Sequence, residues 1–342
     1  MAFTRFIIPA LLFLSLLQPS SPAVPAPGQA GWWRTYFTTP GRGMQPGNPE
    51  TGLIQAINSS RKSISGAFFD ISSPEVIRAL IQAKNRGISV KLVTEKNNYT
   101  NERLAGLVRN NIPVIPDDKR GLMHNKFAVI DKTLLWTGSY NITRNGSQKN
   151  NNNAIMIRSP ELAAIFLEEF NEMFEQRIFG NRKESVPFTP LTNKYHVRIE
   201  DTDINAYFSP DDNIERIILN RLKKASHSIY FMAFAFTSDS LGEMMIRKHR
   251  QGITVKGIVE KRGTGSKYSE FVKMKVEGIP VKQDSNRYAM HHKVIIIDGD
   301  LLITGSYNFS KGANKKNDEN ILIIHNREIA QKYIEEFNRL YR

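Results

Sequence analysis

Short apolar runs and longer stretches of helical period alternate along the chain, and they do so twice in the same order. Lys62 to Asp70 alternates apolar and polar residues and ends in a Phe pair, which predicts a strand. Ser73-Pro74-Glu75 then caps a helix whose apolar residues Val76, Ile77, Leu80, Ile81 and Ala83 recur at helical spacing, and Gly87 ends it. Ile88 to Val93 reads as a second strand. The other half answers with Ser228 to Phe236, a helix near Asp239 to Arg250, Gly252, and the strand Ile253 to Val259. A hairpin follows in each half. Phe127 to Ile130 and Leu134 to Thr137 flank a turn at Asp131-Lys132, and Asp298-Gly299 is a strong turn signal between Ile297 and Asp300. Each half ends with one more apolar strand (Ala154 to Ile157, Ile321 to Ile324) and a closing helix (Glu161 to Gln176, Glu328 to Tyr341).

The repeat holds residue by residue. His124-Asn125-Lys126 leads to Asp131 and to Gly138-Ser139-Tyr140-Asn141; His291-His292-Lys293 leads to Asp298 and to Gly305-Ser306-Tyr307-Asn308, each member 167 positions later without a gap. An α/β unit used twice is the expected fold. The expected organisation is a signal peptide over 1–26, a first domain over 27–186 and a second over 187–342, with the boundary in the polar stretch Gly180 to Tyr195 that holds Pro187 and Pro190. Residues 27–50, rich in Pro and Gly, read as a loose lead-in, and Asn150 to Asn153 as a polar loop.

The first residues change the picture of where the protein works. Arg5 precedes an apolar run of twelve residues, Phe6 to Leu17, short of the roughly 20 that cross a bilayer. Small residues around Ser21 to Ala26 then offer a cleavage site after Ala23 or Ala26. A secreted or periplasmic protein without a membrane anchor is the expectation, an uncleaved anchor the alternative. The chain has no cysteine, so lipidation at cysteine, disulfides, thiolate metal sites and cysteine nucleophiles are excluded. Lys and Arg number 47 against 33 Asp and Glu, a net charge of +14, which suits a polyanionic partner, either nucleic acid or an anionic phospholipid surface, and fits a plain solubility bias equally well.

Residues i and i+2 of a strand share a face, so His124 and Lys126 point one way, as do His291 and Lys293, while Asn125 and His292 point the other. Ser139 and Asn141, and likewise Ser306 and Asn308, pair by the same rule after a glycine. A duplicated fold can bring both sets into one pocket across a pseudo-twofold axis. Two imidazoles, two ammonium groups, two hydroxyls and two carboxamides suit a phosphodiester. One imidazole attacks phosphorus, the other works as acid and then base, and the lysines and amides stabilise the phosphoryl oxygens. Asp131 and Asp298, seven residues past each His, face away by parity and read as structural hairpin residues. His292 occupies the variable position and reads as incidental; His196, His227, His249 and His325 have no counterparts and read as surface or core histidines. No cofactor or metal is expected, since two lysines repel a cation and no tight cluster has ligand spacing.

Both sets match the His-x-Lys-x4-Asp-x6-Gly-Ser-x-Asn signature, and in this the chain resembles the phospholipase D superfamily. The resemblance implies two α/β sandwiches with a shared active site at their interface; because both motifs lie in one chain, a monomer is expected. It also implies metal-independent cleavage through a phosphohistidine, with His124 as nucleophile and His291 as acid–base. The family carries an acidic residue after each motif to orient its His. Glu319 stands there in the second half, expected to serve His291, and the amide Asn152 in the first half, expected to serve His124. Three functions remain open: a nuclease on DNA or RNA, for which basic loops follow both motifs (Arg144, Lys149; Lys311, Lys315, Lys316); a phospholipase D on glycerophospholipids; and a catalytically silent binding module.

Overall fold

Two mixed β-sheets of matching strand order carry the repeat. The computed structural model describes residues 31–43, 45–99, 101–118, 121–180 and 195–342, with only the backbone of 101–103; the expected signal peptide and the 186/187 boundary lie outside them. The first half runs β1 (Trp33–Phe37), α1 (Pro49–Ser59), β2 (Ser63–Phe68), α2 (Pro74–Asn85), β3 (Ser89–Thr94), α3 (Asn101–Arg109), β4 (Val114–Pro116), β5 (Lys126–Ile130), β6 (Leu134–Gly138), α4 (Arg144–Gln148), β7 (Asn153–Arg158) and α5 (Pro160–Phe174). The second runs β8 (His196–Ile199), β9 (Thr202–Ser209), α6 (Ile214–Lys223), β10 (Ser228–Ala233), α7 (Asp239–Arg250), β11 (Thr254–Val259), α8 (Glu270–Val276), β12 (Val281–Gln283), β13 (Lys293–Ile297), β14 (Leu301–Gly305), α9 (Lys311–Lys315), β15 (Glu319–His325) and α10 (Arg327–Tyr341).

The sheet orders are β1-β7-β6-β5-β2-β3-β4 and β12-β11-β10-β13-β14-β15-β9-β8, the same arrangement with one added edge strand, β8. In each, a parallel part joined through helices meets an antiparallel meander at the central strand, β5 or β13. These two strands are buried along their whole length, which is why they read as unbroken apolar runs. The helix after the second strand starts on its expected cap, with Ser73 Oγ accepting from Val76 N at 3.4 Å; the closing helices are capped likewise, Ser159 Oγ accepting from Leu162 N at 3.1 Å and Asn326 Oδ1 from Ile329 N at 2.9 Å.

Three apolar cores follow from this layering. One lies between the first sheet and α1, α2 and α3, and a second between the second sheet and α6, α7 and α8. The third joins the halves: Phe127, Val129 and Ile155 of one sheet, Val294, Ile296 and Leu322 of the other, and Phe166, Phe170, Tyr333 and Phe337 of the closing helices α5 and α10. Burial of this middle layer at ~25 cal/mol per Å² of apolar surface is what holds the halves in register without a disulfide.

Residues 27–50 are not a loose lead-in where they are described. Trp33 to Phe37 pairs antiparallel with β7 (Trp33 opposite Ile157, Phe37 opposite Asn153) and α1 begins at Pro49. The strand was hidden because an edge strand flanked by Pro and Gly shows too few alternations to stand out. Its Tyr36 ring lies where a Cβ on Gly52 of α1 would fall, at 2.4 Å, so only glycine lets this helix dock. Strand β9 was likewise not anticipated, although Ile204, Ala206 and Phe208 alternate inward.

The aspartates of both motifs hold the fold. Asp131 (φ 53°) and Lys132 (φ 57°), and Asp298 (φ 53°) and Gly299 (φ 78°), form the paired left-handed residues of a type I′ turn. The Asp131 carboxylate accepts from the backbone N–H of Arg61, Lys62 and Ser63 at 2.7–2.9 Å, and Asp298 from Ser226, His227 and Ser228 at 2.7–2.9 Å. Partial burial works to raise the Asp298 pKa, but these donors outweigh it and the pKa is lowered. Asp131→Ala should cost about 1–3 kcal/mol of unfolding free energy in urea, with turnover of the folded enzyme kept. A thousandfold loss of turnover in a fully folded variant would make Asp131 part of the chemistry instead. Lys132→Gly relieves a left-handed side chain and should stabilise by about 0.5–1 kcal/mol in the same titration.

Candidate active site

Each His-x-Lys segment is fixed by backbone from the opposite half. Met123 bridges to Asp318, where His124 N–H donates to Asp318 O at 3.0 Å and Asp318 N–H to Leu122 O at 2.9 Å. By the same pattern Asn151 bridges to Met290, with His291 N–H donating to Asn151 O at 2.8 Å and Asn151 N–H to Ala289 O at 2.8 Å. Glu95 and Glu260, both buried, tie down the preceding residues by accepting from Met123 N–H at 2.9 Å and Met290 N–H at 2.7 Å. The two histidines thus arrive at the interface at matching depth, each 7 % exposed.

The exchange of segments settles which side chain stands behind which imidazole, and it reverses the sequence expectation. Glu319 orients His124, Nδ1 to Oε2 at 2.7 Å, and not His291. Asn152 orients His291, Oδ1 to Nδ1 at 2.9 Å, with Ser139 O at 3.0 Å, and not His124. The loop that leads into β15 crosses to the first half before Glu319 is reached, and the loop into β7 crosses the other way. Each orienting side chain therefore serves the partner half. Strand order within one half could not show this. The polar run Asn150 to Asn153 is accordingly no surface loop: Asn151, Asn152 and Asn153 are buried.

Ser139 and Ser306, expected to bind phosphate, hold these orienting groups. Ser139 Oγ donates to Asn152 Oδ1 at 3.1 Å and accepts from Asn153 N–H at 3.1 Å; Ser306 Oγ donates to Glu319 Oε2 at 2.7 Å and accepts from Asn320 N–H at 3.0 Å. Asn152 Nδ2 in turn donates to Gly146 O at 2.9 Å, which fixes its oxygen toward His291. Gly138 and Gly305 permit the packing, since a Cβ on either would lie 2.4 or 2.2 Å from the backbone oxygen of Asn153 or Asn320. Asn141 and Asn308 are half-buried, and each keeps a buried Oδ1 with no hydrogen-bond partner.

His292, read as incidental, is fully buried structure. Asn153 Nδ2 donates to its Nδ1 at 2.8 Å, its Nε2 faces Glu336 Oε1 at 3.1 Å, and Glu336 also pairs with Arg339 at 2.7 Å. Its counterpart Asn125 accepts from Asn320 Nδ2 at 2.7 Å. The variable position of each motif is thus the one that links the halves behind the pocket. Two further residues were not anticipated. Phe69 packs edge-on to His124 at 5.0 Å and under the Lys126 ammonium at 5.1 Å, and Phe234 does the same for His291 at 4.6 Å and Lys293 at 4.7 Å. The Phe pair that ends the first strand was the available signal.

Electrostatically the pocket is short of negative charge. Burial pushes His124 down to about 4, against the pull of Glu319. Burial and the two ammonium groups push His291 well below its ordinary value. Lys126 falls to about 7 and Lys293 well below its usual range, again through burial first. Lys126 Nζ donates to His124 O at 2.5 Å and Lys293 Nζ to His291 O at 2.8 Å. Both shifts favour the neutral imidazole; the protein holds each ring from behind at Nδ1, and among the described residues Nε2 makes no hydrogen bond. Among the described residues, the carboxylates close enough to share a cation are Glu169, Glu172 and Asp211, none of which belongs to either motif.

These lowered values predict a stability profile. A group whose folded pKa lies below its unfolded one contributes stability above the unfolded value and loses it as pH falls through the folded value. For Lys126 that window runs from about 10.5 down to about 7. Without added anions, stability from the site should rise with pH across this window, and Lys126→Met should flatten that rise in thermal melts. Sulfate, whose charge is constant there, should raise Tm more near pH 6.5 than near pH 9.5, because at about the higher pH its binding must also bring protons. An equal shift at both would show that the lysines are already charged.

The comparisons with known proteins agree with this geometry. A family model described as "Cardiolipin synthase, PLD-like domain" matches residues 53–174 and 218–341, once in each half. A phospholipase D of Rickettsia typhi is 29 % identical over 161 residues, 43 % of this chain and 79 % of that protein. Human mitochondrial cardiolipin hydrolase is 37 % identical over 126 residues, 36 % of this chain and 50 % of that one. The crystal structure of phosphatidylserine synthase from Haemophilus influenzae superposes over 90 % of this chain and 86 % of its own with a TM-score of 0.68; at 13 % identity it shows a shared fold. Two matching domains and two motifs meeting at one interface lead to one conclusion: the chain belongs to the phospholipase D superfamily of phosphodiesterases.

Proposed function

We propose that the protein hydrolyses nucleic-acid phosphodiesters in two displacements at the shared pocket, with His124 as nucleophile. The observation that carries the mechanism is the unequal backing of the two imidazoles, a carboxylate behind His124 and an amide behind His291. Glu319 fixes the Nδ1–H tautomer that leaves His124 Nε2 its lone pair, and its charge stabilises the cationic ring once Nε2 bonds to phosphorus. Asn152 fixes the same tautomer at His291 without stabilising a cation. The anionic substrate supplies that stabilisation on binding, and protonated His291 is then a strong acid with little to hold its proton.

In the first step the N–P bond forms as the P–O bond to the leaving group breaks, and that oxygen takes the proton from His291 Nε2. In the second, His291 removes a proton from water, the hydroxide oxygen attacks phosphorus, and the N–P bond breaks to release a monoester. Lys126 and Lys293 neutralise the non-bridging oxygens, and Asn141 and Asn308 serve as amide donors to them. Activity needs no metal in this scheme. A monomer suffices, because one chain holds both histidines, and the leader sequence makes export the expected route.

Nucleic acid is supported by the rim. The loops after β3, β6, β11 and β14 all open at the end of the sheets where the histidines stand. Two acids beside these loops turn inward: buried Asp117, just after β4, and Asp284, just after β12, accept from Lys96 N–H at 2.6 Å and Lys261 N–H at 2.8 Å. The bases of the loops turn outward, with Lys96, Arg144, Lys261, Arg262, Lys311, Lys315 and Lys316 exposed. A pocket rimmed by exposed bases suits a polyanion with phosphates on both sides of the scissile one. The names of the relatives support a second reading, a phospholipase D acting on glycerophospholipids such as cardiolipin.

Purified protein in excess EDTA should nick plasmid DNA or cleave RNA faster than it hydrolyses phosphatidylcholine or cardiolipin vesicles. Activity on vesicles alone transfers the conclusion to the lipase, and complete loss in EDTA restored by a divalent ion removes the phosphohistidine mechanism. Rapid acid-free quenching and peptide mapping should find a base-stable phosphoryl label on His124. His124→Ala should form none, and His291→Ala should accumulate it on a diester with a good leaving group, which needs no proton. Label on His291 in the wild type would reverse the roles.

A further inference from the structure

The two halves differ at the mouth of the pocket, and the difference lies where a neighbouring nucleoside would rest. Tyr288 stands three residues ahead of His291, so chain reach places it within about 10 Å of that histidine. It is 42 % exposed, and the Lys149 ammonium from the first half lies over its ring, 4.9 Å from the centroid. The pair is held across the interface: Asn286 Nδ2 donates to Lys149 O at 2.9 Å and to Asn151 Oδ1 at 2.6 Å. The repeat puts Gly121 at the position of Tyr288 and Lys316 at that of Lys149, 167 residues away in each case. There a side chain has no room, because a Cβ on Gly121 would fall 1.8 Å from Lys316 O. One flank of the pocket therefore offers an aromatic face with a cation, and the position equivalent to Tyr288 on the flank of His124 is a glycine.

We infer that Tyr288 and Lys149 form a nucleoside subsite on the leaving-group side of the scissile phosphate. The inference rests on the nuclease reading and on His291 as the acid. An exposed ring next to a lysine binds a base by stacking and its phosphate by charge, without selecting sequence. Because Tyr288 belongs to the segment that carries His291, the stacked nucleoside is the one whose oxygen His291 protonates, and it departs in the first step. The nucleoside on the other side stays with the phosphoryl group on His124 and meets no aromatic surface at the equivalent position. The pseudo-symmetric pocket thereby acquires a direction along the strand.

The test uses single-stranded DNA oligonucleotides and methyl p-nitrophenyl phosphate, which carries no base. Tyr288→Ala should lower kcat/KM on the oligonucleotide by about tenfold more than on the small diester. Tyr288→Phe should restore most of the difference, and Lys149→Ala should produce a smaller loss of about threefold. An abasic position on the leaving side should cost the wild type as much as Tyr288→Ala does, and the two changes together should cost no more than either. An abasic position on the retained side should leave the Tyr288→Ala effect whole. Equal losses on both substrates, or equal sensitivity to abasic sites on both sides, overturn the subsite while the nuclease stands. A wild type that hydrolyses vesicles and no oligonucleotide removes the nuclease reading and the subsite together.

Discussion

The structure depends on an exchange of backbone between the halves. The segment before each histidine pairs with the segment before the last strand of the opposite sheet, Met123 with Asp318 and Met290 with Asn151. Neither half can orient its own imidazole, because Glu319 and Asn152 each arrive from across the interface. A duplicated α/β unit could in principle bury its sheets separately. Here the middle core formed by α5 and α10 and both sheets makes separation cost apolar burial and the catalytic geometry at once. Positioning of the site and stability of the assembly are therefore one property.

Polar groups at this seam are buried together. Asn125, Asn153, His292, Asn320, Thr137, Thr304 and Glu336 bond one another behind the motifs, and of Asn125 only the oxygen is paired. The lysines and imidazoles in front of them form the opposite case. Their hydrogen bonds fix direction, but their charge has little to answer it: Glu319 is the carboxylate that touches the pocket's histidine, against two lysines. An anionic phosphodiester completes this environment, so binding and charging of the site proceed together.

Near-symmetry makes the departures informative. Both halves keep the glycine, the serine and the half-buried turn aspartate, whose contacts are the same on each side to within a few tenths of an ångström. They differ at two places around the pocket: carboxylate against amide behind the imidazoles, and glycine against tyrosine at the rim. A phosphodiester has an attacked side and a leaving side, and these are the positions at which the two sides of this pocket are chemically unlike.

The sequence by itself determined the duplicated α/β unit, the Ser73 cap and the two hairpin turns at Asp131 and Asp298, because each of these rests on local periodicity, capping or turn chemistry. It also named the histidines and lysines of the site, since the in-register repeat of 167 residues left them as matched polar positions at the start of buried strands. The edge strand β1 stayed hidden because its five residues derive their order from pairing with β7. Only the tertiary structure decided which orienting group serves which histidine, that Ser139 and Ser306 serve those groups, and that His292 is a buried link between halves. These facts depend on a crossing of segments more than a hundred residues apart, and a spacing read along one chain carries no information about which of two equivalent partners a side chain will meet.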